Sequence, residues 1–179
     1  MSFRENVYND FVNNFSNILR EKTKDLEISK LIFLCIGTDR ITGDSFGPLV
    51  GYKLKRLFEN ENNIEVVGTL DNIINMQNVL GIMDNIISTY EDPFLIAIDA
   101  ALSNKRDIGK IIVSKDKINI GSSFRRRKIY VGDISIKGIV SKDLKNPKYN
   151  FKMLQNTSLS LIMNMADIVA YGISNVIHV

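Results

Sequence analysis

Apolar residues recur three and four positions apart in four stretches of this chain, at about 3–22, 45–60, 75–90 and 157–174. Positions at this spacing share one face of a helix, so each stretch predicts an amphipathic helix. Asn156 or Thr157 is placed to cap the last one, because a side-chain oxygen just before a helix accepts hydrogen bonds from its free N–H groups.

Continuous apolar runs of strand length separate these helices. Residues 31–36 and 94–98 are apolar at every position, which is typical of strands covered on both faces of a sheet. Shorter strands are predicted at 64–68, 109–114, 128–131 and 133–140. The alternation of helices and strands predicts a three-layer α/β/α sandwich with a mostly parallel central sheet, and the hairpin-like later strands predict a mixed edge. Since no linker or repeat interrupts the pattern, residues 1–179 are predicted to form one domain, with helix 1–22 packed on it.

The composition is ordinary for a soluble globular protein, with 45% hydrophobic and 24% charged residues. A net charge of +3 is too small to make nucleic acid the main partner. No apolar run approaches the roughly 20 residues of a membrane helix, and the N-terminal residues lack the pattern of a signal peptide. The single cysteine, Cys35, excludes an internal disulfide. We therefore expect a cytoplasmic protein that binds neither nucleic acid nor a membrane.

The loop after the first apolar strand carries the first candidate for chemistry. Gly37 follows the strand directly, and Gly43 and Gly47 relax the path into the next helix. Asp44 lies near the positive end of that helix dipole, which favours its ionised form. An equally simple interpretation is that Asp44 or Ser45 caps the helix.

A second acid, Asp99, follows the apolar strand 94–98. The carboxyl ends of neighbouring strands form the ligand crevice of an open α/β sheet, so Asp44 and Asp99 can share one pocket. Their like charges would then raise one pKa, leaving one carboxylate as a base and one carboxylic acid as a proton donor. The alternative is two independent surface acids, because sequence alone does not set their separation.

Several other chemistries are disfavoured. The glycines do not form G-x-G-x-x-G, and no Walker lysine follows them, so no nucleotide cofactor is predicted. The only histidine, His178, cannot build a His-rich zinc site, and we predict no bound metal. Cys35 is interpreted as a core residue. The basic run 125–128 favours a solvated loop over a site for nucleic acid or an acidic peptide.

Four ordered motifs resemble the YyaC-type sporulation proteins, which are similar to the spore germination protease and the hydrogenase maturation proteases. They are Gly37-Thr38-Asp39-x-x-x-Gly43-Asp44-x-x-Gly47-Pro48, Ile98-Asp99-Ala100, Val131-Gly132-Asp133-x-Ser135-Ile136 and Leu154-Gln155-Asn156-Thr157-x-Leu159. The resemblance covers about residues 30–173. It implies a phosphorylase/hydrolase-like fold, a role in a spore-forming bacterium and a peptidase activity.

The same resemblance implies that Asp44 and Asp99 are the catalytic acids. Candidate substrate contacts come from the loops and motifs: Gly37, Thr38, Asp39, Gly43, Asp133, Asn156 and Thr157. In the hydrogenase maturation relatives the corresponding acids and a histidine hold the nickel of the substrate, and this chain lacks that histidine.

We therefore predict a sporulation-associated peptidase that uses an aspartate pair on a protein or peptide substrate. The alternative is a non-catalytic module with a protease fold, which holds a protein tail or a small ligand. A third, less favoured hypothesis is a metal site with oxygen ligands from Asp39, Asp44 and Asp99. Exposed apolar positions on the first helix add a homodimer as a further expectation.

Overall fold

The computed structural model describes residues 3–120 and 129–178. Its helices are α1 (Phe3–Thr23), α2 (Phe46–Leu57), α3 (Val79–Thr89), α4 (Pro147–Gln155) and α5 (Leu159–Ile177). Its strands are β1 (Leu31–Cys35), β2 (Ile64–Val67), β3 (Phe94–Ser103), β4 (Ile111–Ser114), β5 (Ile118–Ile120), β6 (Ile129–Val131) and β7 (Ile134–Lys142). Two 3-10 turns cover Thr42–Ser45 and Lys105–Asp107.

The central sheet has five strands in the order β2-β1-β3-β7-β4. Strands β2, β1, β3 and β7 are parallel, whereas β4 runs antiparallel to β7 at the edge. Strands β5 and β6 form a separate antiparallel pair. The predicted fold class is therefore confirmed, including the mixed edge of the sheet.

Each face of the sheet has its own apolar core. Helices α1, α2 and α5 cover one face, where Phe33, Ile96 and Ile136 point into a cluster with the helix side chains. The other face, which includes Leu34 and Ala97, packs against α3 and the β5–β6 pair. Cys35 is buried in the first cluster, and burial raises the pKa of its thiol, as expected for a core residue.

The apolar stripe of α1 is buried within the chain. Phe11 and Phe15 stack with ring centroids 5.7 Å apart, and α1 packs against α5. Gly172 of α5 makes this approach possible, because a Cβ there would lie 2.7 Å from the Phe11 ring. The predicted homodimer therefore loses its support from exposed positions on α1 and stays a prediction.

Four local features differ from the prediction. The sequence pattern predicts neither helix α4 nor strand β5. Helix α5 is capped by Ser158, which accepts a bond from the Leu161 N–H, and not by Asn156 or Thr157. Strand β3 runs past Asp99 to Ser103, because β7 is long enough to pair with Ala100–Ser103 after β1 has ended.

Helix α5 also changes the expectation that no segment has the length of a membrane helix. Its 19 residues have a mean hydropathy of 1.3, so by length and composition alone it could cross a membrane. In the fold it lies against α1 and α2, with Ile162, Val169 and Ile173 fully buried. A helix in the core of a globular protein can be as long and as apolar as a membrane helix. The burial of α5 therefore accounts for its composition.

Candidate active site

The order of the strands creates a crevice between β1 and β3. From β1 the chain passes through α2 to β2 on one side, and then through α3 to β3 on the other side of β1. When the connections after two neighbouring strands run to opposite sides, a crevice opens at the carboxyl ends of these strands. Ligands of open α/β sheets bind in this crevice. Asp44 follows β1 and Asp99 lies on β3, so both acids belong to this crevice.

The loop after β1 is held in a defined path by its backbone. Gly37 has φ +141°, and a Cβ on it would lie 2.1 Å from the Asp44 carbonyl oxygen. The Thr38 N–H donates to that same oxygen at 3.1 Å, and the Asp44 N–H donates to the Ile41 carbonyl at 2.9 Å. The loop therefore closes on itself and holds Asp44 beside the end of β1.

Asp99 is positioned by the difference in length between β1 and β3. The last pair of the two strands is Cys35 with Ile98, so Asp99 is the first residue of β3 beyond β1. Because side chains alternate along a strand, Asp99 lies on the same face as Ala97, the face that packs against α3. One carboxylate oxygen, Oδ1, accepts the N–H of Ala100 at 2.8 Å.

Asp44 and Asp99 line one open cavity of about 790 Å³. Its wall mixes polar and apolar side chains, and the apolar ones come from four segments of the chain: Ile36 and Ile41, Ile73 and Met76, Ile120, and Phe151. The other lining residues are Gly37, Thr38, Arg40, Asn75 and Gln77. Within the described residues, the site thus combines two acids and one cation with apolar side chains.

Burial changes the protonation of both acids. It raises the pKa of the Asp44 carboxyl to about 6, with a smaller opposing effect from the Thr38 backbone N–H. The pKa of Asp99 is raised well above its usual range by burial and further by the charge of Asp44, while the Ala100 N–H and Lys137 lower it. At neutral pH we therefore expect an ionised Asp44 beside a protonated Asp99.

Of the predicted site residues, Gly37, Thr38, Asp44 and Asp99 line this cavity, whereas Asp39 and Gly43 do not. Asp39 is exposed on the outer side of the loop, which also removes it from the metal site considered above. Gly43 is a packing residue, because a Cβ there would lie 2.9 Å from both Leu154 and Thr157. The catalytic roles of Asp44 and Asp99 remain predictions.

Asp133 lies at the opposite end of the sheet. Its carboxylate accepts the Leu95 N–H at 2.9 Å, and its own N–H donates to the Leu95 carbonyl. It therefore joins the start of β7 to the start of β3, and it lines a different depression together with Pro93 and Phe94. Asp99 is four residues further along β3 than Leu95, so Asp133 lies away from the cavity of Asp44 and Asp99, and its contact with substrate stays a prediction.

Asn156 and Thr157 end α4 rather than begin α5. The Asn156 Nδ2 donates to the Lys152 carbonyl at 2.9 Å, and the Thr157 Oγ1 donates to the Met153 carbonyl at the same distance. Both side chains satisfy the last turn of α4, and neither lines the cavity. The motif that contains them serves to pack α4 against the first loop.

Sequence reasoning missed the part of the cavity wall that comes from later segments. Asn75, Met76 and Gln77 lie beside the first loop because the Gly37 N–H donates to the Ile74 carbonyl at 2.8 Å. Phe151 comes from α4, whose start could have been recognised: Asn146 accepts two helix N–H groups, and Pro147 occupies the first turn.

The site does not supply the donors for a resident nickel or zinc ion. Within residues 3–120 and 129–178, no three side chains of His, Cys, Asp or Glu form a cluster that could hold a metal. His178 lies at the end of α5, where it contacts Ser174 and Glu61. The basic run 125–128 lies outside the described residues.

Comparisons with known proteins agree with this architecture. A family model described as a protein of unknown function (DUF1256) matches residues 4–172. The uncharacterized protein YyaC of Bacillus subtilis (strain 168) is 37% identical over 144 residues, which make up 80% of this chain and 68% of YyaC. The expected resemblance to YyaC-type proteins is thus confirmed.

A solved structure provides a comparison for the fold. The crystal structure of the NiFe hydrogenase maturation protease HycI from Thermococcus kodakarensis KOD1 matches with a TM-score of 0.61, over 93% of this chain and 99% of that one. The identity is 15%, so the match concerns the fold alone. The chain therefore belongs to the DUF1256 family and has the fold of a hydrogenase maturation protease.

Proposed function

We propose that this protein is an aspartate-dependent peptidase. The observation that carries the proposal is the meeting of two aspartates with raised pKa values in one cavity, at the crevice between β1 and β3. Pairs of titratable groups whose environments separate their protonation states are typical of acid–base sites. The resemblance to YyaC-type proteins suggests that the peptidase works in the cytoplasm of a sporulating cell.

The pair can divide the chemistry of hydrolysis. Asp44, ionised at neutral pH, takes a proton from a water molecule, whose oxygen attacks the carbonyl carbon of the peptide bond. Asp99, protonated, donates its proton to the carbonyl oxygen, so that no free oxyanion forms. The proton held by Asp44 then passes to the leaving amine as the C–N bond breaks, while Asp99 takes back a proton from one of the two hydroxyls on the tetrahedral carbon. A carboxylic acid and an amine are released, and the pair returns to one carboxylate and one protonated acid.

The rest of the cavity suggests how a peptide is held. Phe151 is 44% exposed and stands at the edge of the cavity, where it can cover an apolar substrate side chain. Arg40 is exposed at the same cavity and has no carboxylate partner within the described parts of the chain. An extended segment with apolar residues and a carboxylate therefore matches this wall better than a basic peptide does.

The first test is a cleavage assay with variants of the pair. Purified wild type, Asp44→Asn and Asp99→Asn are incubated with a complex peptide mixture, and new peptide ends are identified by mass spectrometry. General acid–base groups contribute factors of roughly 10²–10⁴, so each substitution should reduce cleavage at least a hundredfold. Asp39→Asn is the matched control, because Asp39 belongs to the same loop but lies outside the cavity.

Two outcomes would contradict the proposal. Cleavage that persists in Asp44→Asn or Asp99→Asn would remove that residue from the mechanism. Binding of peptides by the wild type without any cleavage, over a pH range of 4–8, would favour the non-catalytic module, with the cavity as its binding site.

A further inference from the structure

A lysine, Lys137, lies next to Asp99 on the side away from Asp44. Lys137 of β7 is paired with Asp99 of β3 in the parallel register. Ile136 belongs to the core on the α2 face, so Lys137 points to the opposite face, where Asp99 also lies. Residues in register on neighbouring parallel strands are close neighbours, and both side chains are only partly exposed.

Asp99 therefore lies between a like charge and an opposite one. Asp44 approaches it from the loop after β1, and Lys137 approaches it from β7. The remaining charged group at this cavity, within the described residues, is Arg40 at its edge. On the far side of Lys137 the edge strand β4 presents Ile112, which carries no charge.

Among the described residues, Lys137 has no other charged partner. Within residues 3–120 and 129–178 it makes no ion pair, and its side chain makes no hydrogen bond. The acid in register with it is Asp99, whose ionised form its charge favours through space. A partly buried ammonium beside two acids costs less free energy than the same ammonium beside apolar groups.

We propose that Lys137 is a positioning residue for the aspartate pair, whose charge beside Asp99 sets how readily that acid gives up its proton. Without this charge, Asp99 would hold its proton to still higher pH. Lys137 acts through Asp99 and does not touch the substrate. The role of Lys137 in catalysis rests on the proposed peptidase function, whereas its electrostatic effect on Asp99 is independent of that function.

The effect is measured by NMR titration of the aspartate side-chain carboxyl carbons in wild type, Lys137→Met, Lys137→Gln and Lys137→Arg. Removal of the charge should move the titration midpoint of Asp99 to higher pH in both neutral variants, and Lys137→Arg should restore it. Lys142→Met is the matched control: Lys142 lies on the same strand but pairs with Ser103. The titration curve of Asp99 in Lys142→Met should coincide with that of the wild type.

Lys137→Gln covers the case in which Lys137→Met does not fold, because its amide keeps a polar group of similar length at this position. An unchanged midpoint for Asp99 in the neutral variants that fold would overturn the proposal.

These titrations need no substrate, so they separate this inference from the peptidase proposal. If the protein cleaves peptides, the alkaline limb of its pH–rate profile, where Asp99 loses its proton, should move to higher pH in Lys137→Gln and return in Lys137→Arg. Cleavage that needs both aspartates but keeps its pH profile in Lys137→Gln would leave the peptidase proposal in place and remove the role of Lys137.

Discussion

Asp44 occupies a position where two local effects oppose each other. Near the start of α2, the helix dipole favours a carboxylate, typically by up to about 1 kcal/mol at exposed sites. The cavity removes the same carboxylate from much of its water, and this effect is larger, because the pKa of Asp44 rises to about 6. Ser45 takes the N-cap position of α2 without a side-chain bond, so neither residue caps the helix in the usual way.

This raised pKa predicts how stability depends on pH. The carboxyl of Asp44 has an ordinary pKa of 3.8 and a folded-state pKa of about 6, so the folded protein binds this proton more tightly. The free energy of unfolding therefore falls as pH rises from about 4 to about 6. Asp44→Asn removes this fall. The free energy of unfolding of the variant minus that of the wild type should therefore be larger at pH 7.5 than at pH 4, by at most about 3 kcal/mol, since Asp44 keeps contact with solvent.

Urea denaturation of the wild type and Asp44→Asn at both pH values measures the effect. The difference between the two proteins should be larger at pH 7.5 than at pH 4, with Asp39→Asn as the control for loss of a loop charge. A difference independent of pH would mean that Asp44 titrates normally in the folded protein.

At the scale of elements, close packing of α2 on the sheet places the first loop. A Cβ on Gly47 would lie 2.0 Å from the Ile36 carbonyl oxygen, and one on Gly51 would lie 2.0 Å from the Gly68 carbonyl oxygen. These contacts involve backbone atoms, which cannot move aside as a flexible side chain can. The two glycines let the helix lie directly on the ends of β1 and β2.

Gly47→Ala should therefore destabilise the fold by about 3 kcal/mol, as expected for an overpacked core, and displace the loop that carries Asp44. Gly81→Ala is the matched control within a helix, since a Cβ there meets nothing within 4 Å. Helix propensity predicts that Gly81→Ala is neutral or stabilising by up to about 1 kcal/mol. Thermal denaturation of both variants checks the contrast, and equal effects would contradict it.

At the scale of the whole molecule, α1 is part of the core on one face of the sheet. Phe15 is fully buried and stacks on Phe11, which in turn packs against Gly172. A helix held this way should unfold together with the sheet, in a single transition.

Phe15→Ala should lower the free energy of unfolding by about 3–5 kcal/mol, because a buried aromatic ring is replaced by a cavity. Phe151→Ala removes the same ring from a site that is 44% exposed and should cost much less. Urea denaturation followed by circular dichroism and tyrosine fluorescence tests both statements. Two separate transitions in the wild type would show that α1 unfolds on its own.

The sequence by itself determined the layers of this protein. Long apolar stripes at helical spacing and apolar runs such as 31–36 reflect burial, which acts on each element locally, so the pattern predicts α1, α2 and β1 close to their observed bounds. The pattern also indicates Asp99, as a charged residue directly after a buried strand, and Asp44, as an acid at the start of the helix that follows the first strand and its glycine-containing loop.

The tertiary structure alone decided which loops meet. The sequence analysis assigns Asp99, as a catalytic acid, and Asp133, as a substrate contact, to one site, but they lie at opposite ends of the sheet. Likewise, Phe151 and Lys137 come to the pair through the position of α4 and the register of β7. Strand order and register depend on contacts between residues far apart in the chain, and no local pattern of residues contains them.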